Sequence, residues 1–85
     1  MDYPDTYQGR VRLAIDLLSV RGWTGADIAR RLGIARSQVL RWHRGAAPDN
    51  ERPLAELLGI DPGLVRYGST EELRAALTNL PEPGI

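Results

Sequence analysis

The chain has 85 residues, room for one domain and one modest core. Eleven basic residues, all arginine, balance eleven acids, and the absence of cysteine excludes both a disulfide framework and a thiolate metal site. The charge is divided: residues 10–45 carry eight arginines against Asp16 and Asp27, net +6, whereas residues 46–85 carry three arginines against seven acids, net −4. Such a split points to a polyanionic partner for the basic half. Met1-Asp2-Tyr3-Pro4 lacks the basic start and apolar run of a signal peptide, and the apolar-rich stretch Leu17 to Val20 is too short to span a bilayer. The expectation is a soluble, cytoplasmic domain with no membrane partner.

Apolar residues recur at helical spacing along the chain, and no run alternates as a strand does. Tyr7, Val11, Ala14, Ile15 and Leu18 form one stripe from about Thr6 to Arg21, stopped by Gly22. Thr24 is set to cap a short second helix whose Ile28, Ala29 and Leu32 face inward and which Gly33 ends. Trp23, just before that cap, is placed to staple it. A helix so short does not persist in isolation and needs tertiary packing. A third helix runs from about Arg36 to Arg44, with Val39 and Trp42 turned to the core and Gly45 closing it. After Ala46-Ala47-Pro48, Asp49 or Asn50 caps a fourth, with Pro53 in its first turn and Leu54, Leu57 and Leu58 buried.

Gly59 ends that helix, and Asp61-Pro62 opens a brief helical turn presenting Leu64 and Val65. Ser69-Thr70-Glu71-Glu72 reads as a capping box for a last helix carrying Leu73, Ala76, Leu77 and Leu80, terminated by Pro81. The reading is an all-α, compact domain of five or six helices over residues 1–85, with 81–85 as a tail.

The spacing within residues 25–45 is the specific part. Ala29 must be small where two helices cross, and Gly33, four residues on, supplies the chain reversal. Ile34 and Val39 plug the angle between the helices, and Trp42 seals the underside. That leaves the opposite face of the third helix free, with Arg36, Ser37, Leu40, Arg41 and Arg44 on it and Gln38 to one side. A helix fits the major groove of B-form DNA, where its N-terminal residues reach base edges and flanking arginines meet phosphates.

The stretch "GADIARRLGIARSQVLRWHRG" resembles the helix-turn-helix of the lambda-repressor and Cro-like family, with Ile28-Ala29, Leu32-Gly33-Ile34, Ser37, Val39 and Gly45 in matching positions. The similarity covers about Val11 to Ile60. It implies a lambda-repressor-like fold that binds operator DNA, usually as a homodimer. Carried over, it implies that Arg36 and Ser37 enter the groove and that Arg41 reads a base or braces its phosphate. Gln38 and Arg44 would hold the backbone, Thr24 would offer its hydroxyl or amide to a phosphate, and Leu40 would touch a thymine methyl or shield the interface.

Three departures stand out. Gly25 replaces the glutamine that begins the second helix in many relatives. Ala35 replaces the Ser or Thr that caps the third. His43 stands where relatives often carry an acid paired with a first-helix arginine. The matching first-helix position is Leu18, so both halves of that pair are expected to be absent and His43 to be exposed. Arg30 and Arg31 serve either as solvated charges or as phosphate contacts.

No His pair, Gly-rich phosphate loop or Ser-His-acid arrangement supports catalysis, and adjacent Glu71 and Glu72 diverge on a helix. No enzyme activity, cofactor, metal or small-molecule ligand is expected. One helix-turn-helix reads too few base pairs for useful specificity, which a twofold pair solves. The stripe Leu73, Leu77 and Leu80 either joins two copies or folds back on its own core. The resulting expectation is a small transcriptional regulator, a repressor of the phage Cro or repressor type acting in a prokaryotic or phage-infected cell. A protein-binding adaptor or an antitoxin with weak or no DNA binding is the alternative.

Overall fold

Thr6 opens the first helix, its hydroxyl accepting the Gly9 amide at 3.0 Å. In this computed structural model, which describes residues 3–78 and 80–81, six helices follow one another: α1 Tyr7–Val20, α2 Gly25–Leu32, α3 Arg36–His43, α4 Arg52–Leu58, α5 Pro62–Tyr67 and α6 Thr70–Ala76. No strand occurs among the described residues. The all-α reading is met. No described helix is long and apolar enough to cross a membrane.

Local chemistry sets most boundaries. Asp61 caps α5, and Ser69 with Glu72 forms the expected reciprocal box on α6. At α4, Asn50 accepts the Arg52 amide at 3.0 Å, while Glu51 holds the cap position in a helical conformation without a side-chain capping bond.

The core lies around α1, which is buried on more than one side. Val11, Ala14, Ile15 and Leu18 face inward as expected, but so does Leu13, fully buried. The added burial arises because α3, α5 and α6 all pack against α1.

That packing corrects one reading. Leu73, Leu77 and Leu80, the candidate dimer seam, are 0, 5 and 6% exposed and belong to the domain's own core. Their apolar surface is already covered within one chain, so they offer a second copy nothing to bury. Ala76, expected on the same face, is exposed. The part of the tail from 82 to 85 lies outside the described residues.

Polar ties close the fold around α1. Arg10, only 5% exposed, donates from Nε to the Val65 carbonyl at 2.7 Å and from its other arm to the Arg66 carbonyl, with Asp5 3.6 Å away. It thereby supplies donors to carbonyls at the end of α5, where the helix dipole is negative. Arg66 stacks 4.1 Å over the Tyr7 ring and reaches Glu51 and the Asp49 carbonyl. Tyr7 in turn donates to the Pro48 carbonyl at 2.8 Å, so the loop after α3 is pinned to α1.

Candidate nucleic-acid interface

Helix α2 is short and must be fixed at both ends. Thr24 accepts the Asp27 amide at 3.1 Å, and the Asp27 carboxylate accepts the Thr24 amide at 2.9 Å. This is a complete capping box, with Asp in the place usually taken by Glu or Gln. The Thr24 amide, then the Thr24 hydroxyl, holds the Asp27 carboxyl below the usual carboxylate range. The sequence already carried the signal, in an acid three residues after the cap.

At the other end Gly33 adopts φ 70° and ψ 34°, the left-handed conformation that glycine takes at little cost. The Ile34 amide then returns to the Ala29 carbonyl at 3.0 Å. Ala29 and Val39, 4 and 2% exposed, fill the space between α2 and α3, with Ile34 half-buried beside them. Trp42 is buried as expected, and Trp23, just before the α2 cap, is buried as well.

The turn therefore presents α3 as anticipated. Thr24, Arg36, Ser37, Gln38, Leu40, Arg41 and Arg44 are all exposed, and Leu40 is 45% accessible despite its apolar side chain. Arg36, Arg41 and Arg44 form no ion pair with any described residue. On α2, Arg31 is likewise unpaired, whereas Arg30 lies 3.4 Å from Asp27. Ala35 makes no side-chain cap, leaving the first turn of α3 without that bond. Thr24 and Leu40 line a shallow groove whose buried residues include Ile15, Ile28 and Val39, and to which Asp16 and His43 also contribute.

His43 is the principal correction at the site. It is half-buried, and its Nε2–H donates to Asp16 of α1 at 2.7 Å. The α1–α3 polar pair is thus present with its partners exchanged, the carboxylate on α1 and the imidazole on α3. Leu18 was the wrong partner because it is fully buried in the core, whereas Asp16, two residues earlier, faces α3. Asp16 also accepts the Tyr3 hydroxyl, so one carboxylate joins the N-terminal segment, α1 and α3. Burial first, and then this bond, raises the Tyr3 phenol above its ordinary value.

With this geometry in place, the comparisons can be read. Residues 7–48, which take in α1, α2, α3 and the loop to Pro48, match the family model of a homeodomain-like domain. The match supports a helix-turn-helix DNA-binding family. Its description is homeodomain-like where the sequence resembled lambda repressor and Cro, and the helix-turn-helix is what the two have in common. No curated protein and no solved structure matches the chain.

Proposed function

We propose that the protein is a sequence-specific transcriptional regulator, a repressor of the phage Cro or repressor type that binds an inverted-repeat operator as a homodimer and excludes polymerase. One observation carries the reading: within a helix-turn-helix, α3 and its C-cap hold three exposed arginines, Arg36, Arg41 and Arg44, with no carboxylate partner among the described residues. An unpaired guanidinium can pair bidentately with a phosphate or with guanine O6 and N7. Ser37, Arg41 and Leu40 are the base-facing set, Thr24, Gln38 and Arg44 the backbone-facing set, and Arg36 enters the groove beside Ser37. Two copies on one DNA face place their recognition helices about 34 Å apart. The seam joining them lies outside Leu73, Leu77 and Leu80. The role is binding rather than catalysis and needs no cofactor.

The test is affinity for duplex DNA at two salt concentrations, followed by selection from a random pool. A binder making four to six phosphate contacts should lose roughly two to three orders of magnitude in affinity for a fourfold rise in salt. Selection should return an inverted repeat. A flat salt response would replace this reading with the protein-binding adaptor, for which the zero net charge and the uncapped Ala35 are the motives.

Single substitutions refine the roles. Arg41→Ala should cost about 1–3 kcal/mol and relax one operator position. Arg44→Ala should weaken all sequences alike. Equal, sequence-blind losses at both positions would remove direct readout from Arg41.

A further inference from the structure

Arg36 and Arg41, the two arginines within α3, do not occupy equivalent positions on its surface. At about 100° per residue, Ser37 and Arg41 lie roughly 160° and 200° around the helix from buried Val39, bracketing the direction away from the core. Arg36 lies only about 60° from Val39, on the flank that also carries His43. His43 is the residue that α1 binds through Asp16, so Arg36, though exposed, lies on the flank of α3 nearer the rest of the domain.

The structure gives that flank a definite neighbour. A Cβ placed on Gly25, the first residue of α2, would come 4.0 Å from the Arg36 Cγ. The aliphatic stem of Arg36 therefore lies beside a position that has no side chain. Gly25 has a helical place and no positive φ, so backbone conformation does not require glycine there. In a helix, glycine is less favourable than alanine. A methyl at Gly25 would make only ordinary contact with that stem, but the branches of a larger side chain would compete with it for the same space.

Resting on the DNA-binding reading above, we infer that Gly25 is a seat for Arg36, steering this arginine sideways to grip the DNA backbone rather than the bases. Sequence discrimination then falls to Ser37 and Arg41, which stand directly outward. Arg36 fixes the placement of α3 on the duplex and is indifferent to the base sequence beneath it.

Four variants test this, each first checked for folding by thermal unfolding: Arg36→Ala, Gly25→Ala, Gly25→Leu and the Gly25→Leu/Arg36→Ala double. Affinity is measured on the selected operator and on mixed-sequence duplex across a salt series. Arg36→Ala should weaken both DNAs alike, by roughly tenfold, and lower the salt slope by about one unit. Gly25→Ala, whose added carbon makes only ordinary contact, should bind as the parent does. Gly25→Leu should reproduce the Arg36→Ala loss while remaining folded, and the double variant should add nothing to it.

A relaxed base preference in Arg36→Ala would overturn the inference while leaving the DNA reading intact. So would parental binding by Gly25→Leu, or additive losses in the double variant. Absence of salt-dependent binding by the unmodified protein would overturn the DNA reading and this inference together.

Discussion

Arg10→Ala should destabilise the protein by about 3 kcal/mol. The side chain is 5% exposed and bonds the Val65 and Arg66 carbonyls, so its removal strands two acceptors at the end of α5. Each unsatisfied buried group costs about 1–3 kcal/mol, and the lost stem leaves a void besides. Asp5, 58% exposed in its side chain, adds little because water screens it. Arg10→Lys should recover only part of the loss, since one ammonium cannot reproduce the fixed fork that serves two carbonyls at once. For a chain of this size each kcal/mol moves the melting temperature by about 4–8 °C, so the alanine variant should melt about 12–24 °C lower. A loss below about 1 kcal/mol would mean that water reaches those carbonyls once the arginine is gone.

Leu73→Ala should cost about 2–5 kcal/mol, the usual range for a leucine truncated inside a core. Leu73 is 0% exposed and sits on α6 where α6 packs against α1. The loss should be the same at every protein concentration, because the cavity opens within one chain. Urea unfolding over a hundredfold concentration range, with sedimentation to report subunit number, would check this. A variant that kept its melting temperature and merely dissociated would return α6 to the role of an intermolecular seam.

The two results probe features that differed in how far the sequence revealed them. Caps and stops were legible because their signals are local: Thr24, Asp61 and Ser69 each bond an amide two or three residues away, and Gly33 ends α2 by its own backbone conformation. The exposed face of α3 was legible for the same reason, since Val39 and Trp42 fix its orientation through helical spacing. The arginine buried in the fold was not. Arg10 finds its acceptors 55 and 56 residues along the chain, and nothing in its neighbourhood distinguishes it from Arg12 or Arg21.

Leu13 was missed because one apolar stripe describes a helix packed on one side, whereas α1 is packed by three others. The Asp16–His43 pair was missed by two residues. On a helix two residues correspond to about 200°, enough to exchange a core leucine for an acid facing α3. The stripe on α6 was visible as apolar. Its partner was not, since burial against one's own chain and against a second copy demand the same side chains.

The ends of the described chain are fastened to its beginning. Asp5 accepts the Thr70 amide, the Arg21 guanidinium reaches the Thr78 carbonyl, and the Trp23 indole reaches the Pro81 carbonyl, across 65, 57 and 58 residues. Helices α2 and α3 are made early in synthesis, yet α1, on which α3 rests, is covered only when α6 arrives. A chain in which α6 has not yet formed therefore holds α3 against an α1 that is still partly uncovered. The footing of α3 is therefore finished only when α6 has folded onto α1.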